Sequence, residues 1–496
     1  MQRKQLTLVI LSLLVVVLSV SLAYFTAQII GKGKTVDVSS ANLQIVFTDS
    51  DGALTETDIE PGWQKTKTFT IKNDTKTEYK YNVVIKDLLN TFVTNGYLQY
   101  KITSTNDGYN MTEFKDIPKS STPKDTILAY NVVIPNGVTQ NYTIEFKYAN
   151  DESVDQSDDM GRKLSGTLFI TEGTEDPNKT LYNQLLVDKS TKLTRTDFRT
   201  VLTDNNTNTL YTSTEDSKTV YYFAGNATDN WVKFGKNESN QDLYWRIIRT
   251  NSDGSIRLLY HGTSTTATDA YIGTSEFNSS YDDIAYVSYM YGNLGSVANA
   301  RANTTNSTIK TTIDNWYTSN LEAKDYTKYL STTAIYCNDR TYTVDGSTYF
   351  GAYTRLIINK KPSYDCAATE DKFTVDSTVG NGKLTYPIAL MTADEVSFAG
   401  GLWGTNAPTW YYYNSAKGSS TGSYWWWLLS PNVWSGSDAR MFSVGGSSDL
   451  GYLGNYRVDS TFGVRPAISL KSCTLYSTGN GSASDPYTIK ETTSGC

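Results

Sequence analysis

Tyr424-Trp425-Trp426-Trp427-Leu428-Leu429-Ser430-Pro431, followed further on by Gly463-Val464-Arg465-Pro466-Ala467-Ile468-Ser469-Leu470, is the stretch on which the fold turns. Successive side chains of a strand point to opposite faces. Over Tyr424–Leu429 this puts Trp425 and Trp427 on one face and Trp426 on the other, so at least half of these rings enter a core. Trp434 falls in Asn432–Arg440, a polar stretch read as a loop, where its ring is expected to reach solvent. A second aromatic run, Trp410-Tyr411-Tyr412-Tyr413, lies just upstream. Clustered Trp and Tyr give rigid faces that stack on sugar rings or other planar groups while their polar edges hydrogen-bond.

Working outward from this stretch, Thr392-Ala393-Asp394-Glu395 fits a capping box that opens a helix, with Gly400-Gly401 as its stop. Ile309, Ile313, Trp316, Tyr317 and Leu321 recur at helical spacing, which predicts an amphipathic helix over Ser307–Leu321. Tyr244–Thr250 and Ser255–Tyr260 flank Asn251-Ser252-Asp253-Gly254, a hairpin signal. Before that, Leu181–Leu202 reads as partly helical behind a polar linker, Thr174–Lys179. The segment from Thr35 to Gly173 reads as short strands at Gln64–Lys72, Glu78–Lys86, Leu98–Thr103, Ile127–Ile134, Gln140–Tyr148 and Lys163–Thr171, an alternating pattern that suggests an antiparallel sandwich. Turn signals at Glu60-Pro61-Gly62, Asn73-Asp74 and Pro135-Asn136-Gly137 separate these strands.

Composition narrows the function. A single His, His261, leaves no material for a multi-His metal site or an HExxH helix and weakens any histidine relay. It sits in the hairpin without a nearby nucleophile and reads as a structural or surface residue. The net charge of -7 argues against nucleic acid as a partner. Asp394 and Glu395 are adjacent acids, but the capping role accounts for Glu395 better than a glycosidase pair does. No catalytic residue, cofactor or metal is therefore expected, and the chain is not read as an enzyme.

Met1-Gln2-Arg3-Lys4 precedes an uncharged apolar run from Leu6 to Tyr24, long enough to cross a bilayer or to serve as a signal peptide. Either reading exports everything after Lys32 and makes the protein extracellular or cell-surface. All four cysteines lie late, and an even count outside the membrane implies disulfides. Four cysteines allow three connectivities. Sequence proximity favours Cys337–Cys366 and Cys473–Cys496. The expected organisation is a signal or anchor over 1–31, a sandwich over 35–173, a linker with partial helix over 174–219, and a last domain over 220–496.

The first part resembles the camelysin/TasA-like exported proteins of Gram-positive bacteria. The matching residues are Ser21-Leu22-Ala23-Tyr24-Phe25-Thr26-Ala27, then Glu60-Pro61-Gly62-Trp63 and Thr66-Lys67-Thr68-Phe69-Thr70-Ile71-Lys72-Asn73. The resemblance implies an Ig-like sandwich with a surface or matrix role. Where that family often has an acid after Phe-Thr, this chain has Ala27.

From Leu181 to Ile489 the chain resembles a C-type-lectin-like domain of unknown function common in surface proteins of gut Firmicutes. Trp426–Pro431, Ala439, Val444, Gly445 and Gly463–Leu470 carry the resemblance most specifically. Trp231–Gly235, Tyr244–Arg249, Leu390–Val396 and Cys337-Asn338-Asp339-Arg340 agree with it. It implies an α+β head in a mainly β chain. Formylglycine-generating enzymes share the fold, but Cys473 and Cys496 lie beyond Gly463-Val464-Arg465, so their oxidase chemistry is not carried over. Calcium-dependent lectins place Glu-Pro-Asn or Gln-Pro-Asp before a later Trp-Asn-Asp. This chain has Ser430-Pro431-Asn432 and no Trp-Asn-Asp.

Variable proteins of diversity-generating retroelements also share the fold and display Tyr, Asn, Ser and Asp near their C-terminal end. The stretch Asn432–Thr461 has that composition. The expected ligand-binding residues are Trp434, Ser435, Asp438, Tyr452, Asn455 and Tyr456, with Tyr412 from the upstream run. The expected partner is an extracellular glycan or protein bound for adhesion or recognition, with the membrane as a further partner if the N-terminal segment is kept. The alternative is a biofilm-matrix or fibre subunit that self-assembles through its sandwich.

Overall fold

The computed structural model describes residues 59–496 apart from 75, 175, 205–206, 268–269, 408–424 and 447–448. It also describes, as backbone only, the strands at 35–40, 43–49 and 54–56. The N-terminal apolar run and Tyr412 lie outside the described residues. The protein is mainly β, with 38% strand and 14% helix in several antiparallel sheets. The chain divides into two units, Met1–Pro177 and Asn178–Cys496. Among the described residues no helix is long and apolar enough to cross a membrane.

The first unit holds two antiparallel sheets. One runs in the order Thr35–Ser40, Leu43–Asp49, Gln64–Asn73, Thr139–Tyr148, Leu98–Ser104 and Lys115–Asp116. The other runs Leu54–Glu56, Leu164–Glu172, Tyr79–Asn90 and Ser120–Ile134. Alternation decides what faces inward: along Thr139–Tyr148 the buried positions are Gln140, Tyr142, Ile144, Phe146 and Tyr148. These join Phe69, Ile71, Val83, Ile85 and Leu168 in one core. Gln140 is tolerated there because its Oε1 accepts from the Tyr81 hydroxyl at 2.5 Å.

The second unit is built on a nine-stranded sheet. Its main path runs Thr191–Thr194, Thr209–Glu215, Lys218–Tyr222, Asp242–Thr250, Ile256–Gly262, Pro466–Leu470 and Ile388–Leu390. Trp231–Lys236 joins beside Asp242–Thr250 and pairs in parallel with Tyr487–Thr488. A seven-stranded sheet runs Thr274–Ser275, Phe462–Gly463, Trp426–Trp434, Ser347–Phe350 and Tyr342–Asp345, with Ala439–Val444 and Leu453–Arg457 branching off Trp426–Trp434. One continuous core takes side chains from both sheets, among them Trp245, Leu258, Ile468, Trp427 and Phe442.

The hairpin at Asn251-Ser252-Asp253-Gly254 is present, and Gly254 supplies its positive φ of 79°. The helix at Thr308–Tyr317 starts on the Ser307 cap and buries Ile309, Ile313 and Tyr317, then widens into a π turn over Thr318–Glu322. The capping box is formed: the Thr392 hydroxyl accepts from the Glu395 amide at 3.1 Å, and the Glu395 carboxylate accepts from the Thr392 amide at 2.9 Å.

Two readings change. The stretch expected as a linker with partial helix, 174–219, has its helix at Leu181–Asp188, but from Asn178 onward it belongs to the second unit and adds two strands to the nine-stranded sheet. The supposed loop Asn432–Arg440 is strand up to Trp434, with only 435–438 left as a turn. Asn432 is fully buried. The polar composition of this stretch misleads because the buried Asn432 side chain is held within the sheet, its oxygen accepting from the Asn455 amide.

Candidate functional site

Trp426–Trp434, Ala439–Val444 and Leu453–Arg457 form an antiparallel meander, with Trp434 opposite Ala439 and Val444 opposite Leu453. Trp426 and Trp427 are both fully buried on opposite faces: Trp426 lies under the Arg465 guanidinium at 4.9 Å, and Trp427 packs on Phe462 at 4.8 Å. The Trp427 indole N–H donates to the Ser275 carbonyl at 2.9 Å, which fixes the ring. As alternation predicts, Trp425 shares the Trp427 side and also meets Phe462, at 6.2 Å.

Upon this fixed floor stands an aromatic patch. Trp425 meets Tyr456 edge-on at 4.7 Å and Tyr452 at 5.8 Å, and Tyr456 meets Phe462 edge-on at 4.8 Å. Trp425, Tyr452 and Phe462 are half-buried, while Tyr456 is 38% exposed. Gly454 lets the rings close up, since a Cβ there would come within 2.9 Å of the Tyr452 ring and 3.0 Å of Trp425. Aromatic groups held edge-to-face on a rigid sheet can offer ring faces to an apolar or sugar surface with no further loss of rotamer freedom.

The other end of Trp426–Trp434 carries a polar patch. Ser435 closes the turn: its hydroxyl accepts from the Asp438 amide at 3.0 Å, and its own amide donates to the Asp438 carbonyl at 3.2 Å. Arg440 and Arg457 are cross-strand neighbours, a like-charge pairing that needs relief. Each has an acid two residues away: Asp438 lies 3.4 Å from Arg440, and Asp459 pairs with Arg457 through two bonds at 2.6 and 3.0 Å. Arg457 also lies 3.9 Å from the Tyr281 ring centroid. Trp434 is half-buried against the core.

The expected ligand-binding residues thus fall into separate groups. Tyr452 and Tyr456 join the aromatic patch, and Trp434, Ser435 and Asp438 sit at the turn. The Asn455 side-chain amide is committed to the Asn432 oxygen at 2.5 Å. Phe462, Tyr281 and Arg457 complete the two patches without having been singled out in the sequence. Phe462 stands beside the Gly463–Leu470 block and pairs along Thr274–Ser275, a link that no local pattern announces.

The adjacent acids Asp394 and Glu395 serve a buried ion network. Glu395 accepts from Arg249 at 2.9 Å and Arg257 at 2.8 Å, and Glu215 accepts from Arg249 at 2.8 Å. Burial pushes both Glu carboxyls up, but the neighbouring guanidiniums outweigh it and hold them below the ordinary 4.5. Asp394 grips Arg355 through two bonds at 2.8 and 2.9 Å, and Arg355 also pairs with Asp339 at 2.5 Å. The cleft among these groups measures about 20 Å³, room for roughly one water. His261 is fully buried, with its ring edge-on to Trp231 at 4.5 Å.

Both disulfides join the sequence neighbours, Cys337–Cys366 and Cys473–Cys496. Among the described residues no cluster of three or more His, Cys, Asp or Glu side chains could hold a metal ion.

Residues 370–472 match a family described as a domain of unknown function, DUF6273. That span contains the Ala393–Ala399 helix and the whole meander. No curated protein and no solved structure matches the chain.

Proposed function

We propose that this is an exported cell-surface protein whose second unit is a C-type-lectin-like head, and that the head binds an extracellular glycan or protein through the aromatic patch of the meander. The carrying observation is the arrangement of Trp425, Tyr452, Tyr456 and Phe462: edge-to-face rings, partly open to solvent, on a floor locked by buried Trp427. The two disulfides support export, because such bonds persist in oxidising compartments. The uncharged run Leu6–Tyr24 gives the route out and, if retained, the anchor. The first unit serves as the stalk, an Ig-like sandwich.

The test is adhesion and array binding with the intact exported chain. Trp425→Ala and Tyr456→Ala are each expected to lower binding at least tenfold, in the range of interfacial aromatic anchors. Wild-type silence on both glycan and host-protein arrays, with adhesion unchanged by the two variants, would remove the proposal.

A further inference from the structure

A second concavity lies away from the ion network, between the loop at Asn278–Ser279, the short ladder Met290–Tyr291 with Thr305–Asn306, and one side of the Thr308–Tyr317 helix. Its volume is about 330 Å³, at the small end of the roughly 300–1,000 Å³ usual for ligand sites. Asn278, Ser279, Tyr291, Asn306, Thr308 and Asn315 line it with further Ser and Thr, and no charged side chain is among the lining residues. The charges nearest on the helix satisfy each other, Lys310 pairing with Asp314 at 2.5 Å.

Asn278 is the informative residue. It is only 2% exposed, and its side-chain N–H groups donate to the Tyr286 carbonyl at 2.6 Å and the Ser288 carbonyl at 3.3 Å. Those bonds fix the amide orientation and leave Oδ1 as an acceptor on the groove, with no described group donating to it. An acceptor oriented by two bonds on a largely buried residue that lines the groove is ready to take a donor from water or a ligand without further ordering. Tyr291 adds a half-buried ring whose phenol stays protonated, because burial and neighbouring Tyr286 push its pKa up. The exposed Asn306 and Asn315 amides offer both donors and acceptors.

We infer that this groove is a ligand site in its own right, for a neutral polyhydroxylated ring such as a hexose unit of a glycan. A sugar hydroxyl both donates and accepts, which is what amides and hydroxyls complement. The uncharged lining disfavours phosphate, sulfate or uronate groups, because a charge would lose its hydration there and find no counter-charge. The inference stands independently of the aromatic patch.

Saturation-transfer NMR on the intact chain tests it with glucose, galactose, mannose and their N-acetylated forms, and with glucuronate as a charged control. Dissociation constants of order 1 mM are expected for the neutral sugars. Asn315→Trp, which fills the groove from an exposed position, is expected to weaken binding at least tenfold, and Met160→Ala, an exposed change in the first unit, to leave it unchanged. Ser279→Tyr is the second filling variant should Asn315→Trp fail to fold. No signal from any neutral sugar up to about 50 mM, binding of glucuronate alone, or signal that survives both filling variants would each overturn the inference. Loss in Trp425→Ala with retention in Asn315→Trp would also overturn it and would place sugar binding on the aromatic patch.

Discussion

Glu395 carries two roles in one carboxylate: Oε2 closes the capping box on the Thr392 amide, and Oε1 neutralises Arg249 and Arg257. Removing only its charge, as in Glu395→Gln, leaves two buried guanidiniums sharing the single carboxylate of Glu215, and breaking such a buried pair costs about 3–5 kcal/mol. Urea denaturation of the variant should show that loss. The same network gives a pH dependence with a definite sign. Because Glu215 and Glu395 are held below their ordinary 4.5 in the fold, the unfolded chain binds more protons once the pH drops past that value. Their contribution is present above pH 4.5 and is lost as the pH falls through the depressed folded values. The wild-type melting temperature should therefore fall more steeply below that point than that of Glu395→Gln. Gly454 gives a sharper test of the aromatic patch. In Gly454→Ala the new methyl drives into the Tyr452 and Trp425 rings, an overpacking worth roughly 1–3 kcal/mol. The expected outcome is a changed near-ultraviolet circular dichroism spectrum with an unchanged far-ultraviolet one.

At the scale of elements, the Ala393–Ala399 helix separates cap from charge. Thr392→Ala removes the hydroxyl that accepts from the Glu395 amide but leaves both arginines paired, so its cost should stay near 1–2 kcal/mol. Measured side by side in urea, it should be clearly milder than Glu395→Gln; equal losses would mean that the cap, and not the ion network, dominates. This helix was legible in the sequence because a capping box is a local signal, four residues long. The strands of the first unit were legible for a related reason: period-two alternation, as along Thr139–Tyr148, is written in the strand itself. In the strand Ser120–Ile134 the pattern is legible only from Ile127, because Ser-Ser-Thr-Pro-Lys-Asp looks like a loop although it pairs with Leu88–Asn90 through register shifts. Thr209–Glu215 is not legible as a strand because Tyr and Thr do not separate inward from outward positions by type. The candidate site was legible in its residue types but not in its partners. Nothing local tells that Asn455 is spent on Asn432, or that Tyr456 meets Phe462. The groove at Asn278 was invisible because three separate segments, each of ordinary composition, build it.

At the scale of the whole molecule, the main cores of the two units share no side chain among the described residues: one gathers Phe69 to Ile170, the other Leu181 to Ile489, with a smaller cluster around Tyr222, Tyr364 and Phe398 also in the second unit. Each is large enough to unfold as its own cooperative unit. All four cysteines belong to the second unit, where the disulfides close loops at sequence separations of 29 and 23. In the chain-entropy account each such loop removes about 3–4 kcal/mol of unfolded-state freedom. The Cys337–Cys366 loop also brackets Arg340 and Arg355, whose pairings, the buried one with Asp371 and the partly buried one with Asp394, depend on that segment keeping its place. Reduction should therefore act on one half of the protein only. Calorimetry of the intact chain is expected to show two transitions. Adding a strong thiol reductant should move the transition of residues 178–496 down by on the order of 10 °C and leave the other where it was. A Cys337→Ser, Cys366→Ser double variant should reproduce part of that shift without reductant. A single transition that moves as one, or two that both move, would mean that the two units do not unfold independently.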